Sequence, residues 1–173
     1  MEDSMQKKYT IISGTNRKGS NTRMVAEQYR QLLQLKGITP EFISLEDIHV
    51  EHRYAGWEKL EKEVLIPTDK FIFISPEYNG SIPGVLKSFI DISDIKKVWW
   101  GKKALLTGVS TGRAGNLRGM EHLTGILHYI KVVVHPNKLP ISVVDKLLNG
   151  TDVITDTSTV QAMNWQLDEF IEF

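Results

Sequence analysis

The sequence of 173 residues contains no cysteine. This absence excludes disulfide bonds, thiolate nucleophiles, cysteine-ligated iron–sulfur clusters and thiolate zinc sites. Any redox chemistry of this protein must therefore come from a bound cofactor.

An excess of charge of either sign is also missing, because Lys and Arg total 21 and Asp and Glu also total 21. Domains that bind nucleic acids usually carry a basic excess that attracts the phosphate backbone. The balanced total favours a small-molecule partner and predicts no nucleic-acid partner.

Long apolar runs are absent, since no stretch of about 18 apolar residues occurs and the start, "MEDSMQKKYTIIS", lacks the apolar core of a signal peptide. We therefore expect a cytoplasmic protein with no membrane association. No internal repeat and no linker rich in Pro, Gly or Ser divides the chain, so residues 1–173 are predicted to form a single domain.

Strand patterns alternate with helix patterns along the whole chain. The predicted strands are residues 9–13, 41–44, 70–75, 103–109 and 131–134. The predicted helices are residues 21–36, 57–65, 85–92, 117–129 and 159–173. This alternation predicts βαβ units, and hence a parallel sheet with helices on both faces.

Ligands of such sheets bind beyond the carboxyl ends of the strands. Three loops follow strands there: 13–22, 76–83 and 110–116. The first, "SGTNRKGSNT", precedes a predicted helix, and its composition suits an anion such as a phosphate monoester. It offers two glycines, several hydroxyl and amide groups, and Arg17.

Other interpretations of the first loop fit less well. Gly14 and Gly19 have the spacing of a nucleoside-triphosphate P-loop, but Ser20 stands where that loop needs its lysine. The dinucleotide fingerprint G-x-G-x-x-G fails at Asn16. A polar turn that only caps the following helix remains an alternative.

The third loop contains G-x-S-x-G at residues 108–112, the pattern of a hydrolase nucleophile elbow. After Ser110, the only acid that precedes a histidine is Glu121, directly next to His122, and adjacent helical side chains diverge. Serine hydrolysis is therefore the least favoured function. His49 and His52 lie in an acidic segment that is more typical of a solvated face than of a metal site, and no metal is predicted.

The second loop and its helix, "SPEYNGSIPGVLKSFID", resemble the signature P-E-Y-N-x-S-x-P-G-x-L-K-N-x-I-D of the NADPH-dependent FMN reductase family. The first loop resembles that family's phosphate motif, G-S-x-R-x-x-S-x-N, and the third resembles its short Gly-rich flavin loop. The sequence departs from these motifs at Asn21 and Thr22, at Ser88 where Asn is common, and at Asn116 where a second glycine is common.

The resemblance implies a set of cofactor-binding residues in each loop. In the first loop, Thr15, Arg17 and Ser20 would bind the FMN phosphate, with Ser13, Asn21 and Thr22 as further candidates. The second loop would lie along the isoalloxazine ring, through Pro76, Glu77, Tyr78, Asn79 and Gly80. The third loop would lie at the pyrimidine edge, through Ser110, Thr111, Gly112, Arg113 and Gly115.

The same resemblance implies a flavodoxin-like three-layer sandwich, with a five-stranded parallel sheet in the order 2-1-3-4-5. It also implies hydride transfer from NADPH or NADH to FMN, and then to a small electrophile such as a quinone, an azo compound, a free flavin or an oxidised metal ion. The cofactor supplies this chemistry, so no catalytic side chain is expected. A flavodoxin-type electron carrier is the alternative, although carriers of that kind are usually strongly acidic.

Family resemblance further implies a homodimer or homotetramer that pairs through the helix at 85–92. Leu86, Phe89 and Ile90 make this helix more apolar than one core face requires. Trp99 and Trp100 are expected either to cover a partner's flavin site or to pack against their own sheet.

Overall fold

The computed structural model describes residues 7–173 and contains one parallel sheet. Its strands are β1 (Tyr9–Ser13), β2 (Glu41–Ser44), β3 (Lys70–Pro76), β4 (Lys103–Val109), β5 (Val133–Val134) and β6 (Leu139–Ile141). The order is β2-β1-β3-β4-β5, and β6 also pairs with β4. The predicted flavodoxin-like fold with strand order 2-1-3-4-5 is confirmed.

Helices cover both faces of this sheet, as the alternating pattern predicts. One face carries α2, α3 and α4, and the other carries α1, α5 and α6. The helices are α1 (Asn21–Leu35), α2 (Ala55–Leu60), α3 (Gly84–Ile92), α4 (Leu117–Tyr129), α5 (Val144–Leu148) and α6 (Thr157–Glu172), with π-helical stretches after α2 (Glu61–Leu65) and after α3 (Ile95–Trp99). Among the described residues, no helix combines the length and apolarity needed to cross a bilayer.

Alternate residues of β3 enter opposite layers of the core. Phe71 and Phe73 pack with the α2–α4 layer, whereas Ile72 and Ile74 pack with the α1–α6 layer. Trp99 is fully buried against the first pair, with its ring centroid 4.7 Å from that of Phe71. It therefore packs against its own sheet, the second of the two alternatives that the sequence leaves open.

The apolar residues of α3 all belong to this core. Leu86, Phe89 and Ile90 are buried within the chain itself. The expectation that they exceed the needs of one core face is wrong, because Trp57 and Trp99 come close to Phe89 on two sides, with ring centroids at 5.4 and 6.4 Å.

The last strand differs from the prediction, because its place is filled by two short segments. β5 pairs with Lys103 and Ala104, and β6 pairs with residues 107–109 of β4. Pro136 lies between the two segments, and proline has no N–H to donate to a sheet ladder. The sequence pattern identifies only the first segment, because β6 is three residues long and contains a proline itself.

The side chain of Gln166 fills the gap between β5 and β6. Its Nε2 donates to the carbonyl oxygens of Leu106 at 3.0 Å and Asn137 at 2.9 Å. Its Oε1 accepts the hydroxyl of Tyr29 at 2.6 Å, and Thr107 in turn donates to the Tyr29 oxygen at 2.8 Å. Burial raises the pKa of Tyr29, so this phenol remains a neutral donor.

We expect Gln166→Leu to lower the free energy of unfolding by about 3 kcal/mol, because two carbonyls and a hydroxyl would lose partners in the core. Urea denaturation followed by far-UV circular dichroism measures this change. Gln161→Leu, at an exposed position of the same helix, is the matched control and should stay within about 0.5 kcal/mol of the wild type. Equal stabilities of the two variants would contradict the role given to Gln166.

Candidate functional site

A cleft of about 560 Å³ opens at the carboxyl ends of β1, β3 and β4. The three loops identified in the sequence form its walls, so the sheet brings together segments that are up to about a hundred residues apart. Its lining consists of residues 17–22, 76–78 and 109–114.

The first loop leaves β1 in close contact with β3. The Gly14 N–H donates to the Ile74 carbonyl at 2.8 Å, and a Cβ on Gly14 would lie 3.0 Å from the same oxygen. Ser20 then caps α1, since its Oγ accepts the Arg23 N–H at 3.2 Å. The hydroxyl proton of Ser20 and the first N–H groups of α1 have no partner within the helix and suit an anion in the cleft.

Thr15 and Arg17 connect the first loop to the second. The Thr15 hydroxyl accepts the Arg17 N–H at 3.3 Å and lies 2.5 Å from the Tyr78 hydroxyl. The Arg17 guanidinium carbon lies 4.1 Å from the centroid of the Tyr78 ring, a cation–π contact. Thr15 itself is buried below the loop, as is Ser13, whose Oγ has no hydrogen-bond partner among residues 7–173.

The second loop is held by a tight turn. Tyr78 and Ser81 exchange two backbone hydrogen bonds, at 2.9 and 3.1 Å, around Asn79 and Gly80. Both central residues have positive φ, 53° for Asn79 and 78° for Gly80, as in the Asn-Gly turns of β-hairpins. These two residues shape the loop and do not line the cleft.

The Ser110 hydroxyl organises the third loop. It donates to the Gly112 carbonyl at 3.0 Å and accepts the Gly115 N–H at 3.0 Å. His122, the first histidine after it, instead pairs with Ser81, with 2.9 Å between Nδ1 and Oγ. No described histidine is hydrogen-bonded to Ser110.

The third loop packs closely against strands β4 and β6 of the sheet. A Cβ on Gly108 would lie 2.1 Å from the Gly115 carbonyl oxygen, and one on Gly115 would lie 2.6 Å from the Pro140 side chain. Asn116 adopts a left-handed conformation, and its Nδ2 donates to the Ser75 carbonyl at 2.8 Å. The asparagine at this position therefore has a structural role that fastens the loop to β3.

The cleft contains most, but not all, of the candidate cofactor-binding residues. Those that line it are Arg17, Ser20, Asn21, Thr22, Pro76, Glu77, Tyr78, Ser110, Thr111, Gly112 and Arg113. Those that the lining does not include are Ser13, Thr15, Asn79, Gly80 and Gly115. Lining residues that the sequence analysis did not select are Lys18, Gly19, Val109 and Ala114, all of which lie beside a selected residue.

The charges of the lining favour a phosphate. Arg17, Lys18 and Arg113 contribute three cationic groups, against the single carboxylate of Glu77. No group of three or more His, Asp or Glu residues is arranged for a metal within residues 7–173. The side chains of His49 and Glu51 are both largely exposed, with 3.8 Å between Nδ1 and Oε2, which is typical of a solvated face.

A family model for NADPH-dependent FMN reductases matches residues 8–144 of the chain. The quinone reductase of Pseudomonas putida KT2440 is 33% identical over an alignment of 121 positions that covers 65% of this chain and 64% of that protein. The quinone reductase of Escherichia coli K12 is 28% identical over an alignment of 182 positions that covers 98% of this chain and 97% of that protein. The match to a Burkholderia 2-hydroxy-1,4-benzoquinone reductase, 34% identical, spans 42% of each chain.

Solved structures share the fold. The apo form of the NADH:FMN oxidoreductase EMOB superposes with a TM-score of 0.76 at 21% identity, over 96% of this chain and 89% of that one. FerB, an NAD(P)H:acceptor oxidoreductase from Paracoccus denitrificans, gives a TM-score of 0.75 at 22% identity, over 96% of both chains. Since the family model covers well over half of the sequence, the chain belongs to the NADPH-dependent FMN reductase family.

Proposed function

We propose that the protein is an NAD(P)H-dependent FMN oxidoreductase that reduces small electrophiles in the cytoplasm. The observation that carries this proposal is that one cleft brings a cationic loop at a helix N-terminus together with the second and third loops, the second of which contributes the aromatic ring of Tyr78. Family membership supports the same assignment.

The residues of the cleft fit FMN in three places. Arg17, Ser20, Asn21 and Thr22, with the N–H groups of the first turn of α1, would hold the phosphate. Residues 76–78 would lie along the ring, with Tyr78 as an aromatic wall. Residues 110–113 would approach the pyrimidine edge, where backbone N–H groups can bond to ring carbonyls.

Bound FMN supplies hydride transfer, from NADPH or NADH and onward to an electrophile. The chain's own residues bind and orient the cofactor and exclude water, and no lining side chain is needed as an acid or base. Relatives that are named quinone reductases favour a quinone as the acceptor of this protein.

We expect the purified protein to retain FMN after loading and desalting, and its visible absorption bands to bleach when NADPH or NADH is added without oxygen. Adding a benzoquinone should then restore the oxidised spectrum. Loss of all flavin on desalting, or a retained flavin that neither nucleotide reduces, would contradict the proposal. A stabilised one-electron state with no nucleotide oxidation would favour the electron-carrier alternative.

Ser110→Ala separates the proposed reaction from serine hydrolysis. It removes the two hydrogen bonds that close the third loop, so we expect FMN to bind about threefold to tenfold more weakly. Quinone reduction at saturating FMN should persist. Complete loss of an ester-hydrolase activity in this variant, with an active wild type, would instead support the nucleophile-elbow interpretation.

We further propose a homodimer, or a homotetramer built from it, that forms through α3 and α4. An apolar groove of about 750 Å³ lies between these helices, with Ile95 and Tyr129 exposed at its walls. The groove extends to Ser81 of the second loop and to its partner His122. A second copy bound in the groove would therefore lie next to the cleft. Burying this groove would remove apolar surface from water.

Ile126→Glu, on the wall of the groove, should shift the protein to a monomer in light scattering at micromolar concentration, because pairing would bury a charge. Leu35→Glu is the matched control, since Leu35 is 84% exposed at the end of α1. A monomeric wild type, or an Ile126→Glu variant of unchanged mass, would contradict pairing through this face.

A further inference from the structure

Tyr78 contacts the first loop both through its hydroxyl and through the face of its ring. Its hydroxyl is 2.5 Å from the Thr15 Oγ1, and its ring lies under the Arg17 guanidinium at 4.1 Å. Tyr78 also lines the cleft, so one side chain belongs both to the wall for a flat ring and to the support of the anion loop.

The Thr15 hydroxyl is the point at which this support acts. It accepts the N–H of Arg17, two residues further along the loop, at 3.3 Å, so the side chain restrains the local backbone. The preceding residue, Gly14, is fixed to the Ile74 carbonyl of β3 at 2.8 Å. A hydroxyl has one proton and two lone pairs, so the bonds to Arg17 and Tyr78 occupy most of its capacity. Thr15 is only 1% exposed, and water would not readily replace either partner.

We propose that the Tyr78 hydroxyl is a positioning group that couples the ring subsite to the phosphate subsite and selects phosphorylated flavins over unphosphorylated ones. This inference rests on the proposed function and adds to it a specificity determinant that does not touch the phosphate. Tyr78 holds Thr15, and Thr15 holds the backbone of the loop that presents Arg17 and Ser20 to the anion.

Coupling of this kind is reciprocal. A ring that packs on Tyr78 restricts its side chain and so stabilises the loop that receives the phosphate, and a phosphate in the loop stabilises Tyr78 in its position. A flavin without a phosphate gains only from the ring contact. The structure therefore predicts that removal of the hydroxyl weakens the binding of FMN much more than that of riboflavin.

Tyr78→Phe keeps the ring and removes the hydroxyl. Thr15→Val removes the other half of that hydrogen bond, together with the acceptor of the Arg17 N–H. We expect each variant to bind FMN about tenfold more weakly, by quenching of flavin fluorescence, and riboflavin within about twofold of the wild type. The double variant should bind FMN no more weakly than Thr15→Val alone, since Thr15→Val already removes the hydrogen bond to Tyr78 as well as the acceptor of the Arg17 N–H. Tyr54→Phe, at a position that lines neither the cleft nor the apolar groove, is the matched control and should change neither constant.

Equal weakening of FMN and riboflavin in Tyr78→Phe would overturn the proposal, because the phenol would then act on the ring. Additive losses in the double variant would overturn it as well, since the two hydroxyls would act independently.

Amide hydrogen exchange of the flavin-free protein gives a readout that needs no cofactor. Residues 14–20 should exchange faster in Tyr78→Phe and in Thr15→Val than in the wild type and in Tyr54→Phe. If the wild type binds no FMN, the proposed function fails, whereas faster exchange still supports the Tyr78–Thr15 coupling. Unchanged exchange in both variants overturns that coupling whatever the flavin result.

Discussion

The carboxyl end of β3 is the anchor for all three loops of the cleft. The Ile74 carbonyl takes the N–H of Gly14 from the first loop, and the Ser75 carbonyl takes the Asn116 amide that ends the third. The second loop continues from β3 itself, and its Glu77 N–H donates to the Val109 carbonyl of β4. Because the first and third loops are fixed to consecutive carbonyls of β3 and the second loop extends from the same strand, one central strand positions the walls of the cleft.

This central strand is rigid because both of its faces are buried. Its alternate side chains, among them Phe73 and Ile74, enter two separate apolar layers, so a displacement of β3 would disturb both layers at once. The aromatic packing around Trp99 fixes one layer, and the hydrogen-bonded group of Tyr29, Thr107 and Gln166 fixes the other. Short loops can form a defined site here because they are attached to the same well-packed strand.

Contacts between loops then give the site properties that no single loop has. Ser110 folds the third loop on itself, whereas Tyr78 and Thr15 join the second loop to the first. The proposed recognition of a phosphorylated flavin depends on the link between Tyr78 and Thr15, since the phosphate and the ring would be bound by segments that are about sixty residues apart. The apolar groove beside His122 adjoins the second loop, where a second copy is proposed to pack.

The sequence by itself determined the alternation of strands and helices, and with it the edge of the sheet at which the three loops meet. Those features depend on local periodicity and on the fixed handedness of βαβ connections, which neighbouring residues encode. Resemblance of the loop motifs added the strand order and the family. Adjacent residues of the same loops, such as Lys18, were within reach of this reasoning because a loop that lines a cleft does so over several positions.

Only the tertiary structure decided which side chains face the cleft and which support it. Thr15 and Gly115 carry the residue types of a binding loop, yet they support the loops through contacts with Tyr78 and Pro140, which lie elsewhere in the chain. Asn79 supports its loop through the local turn between Tyr78 and Ser81. The split of the last strand was equally hidden, and so was the role of Gln166. Its amide reaches from α6 to a carbonyl of β4 and to a carbonyl of the connection between β5 and β6. Contacts of this length arise from the packing of the whole sheet, and no local pattern records them.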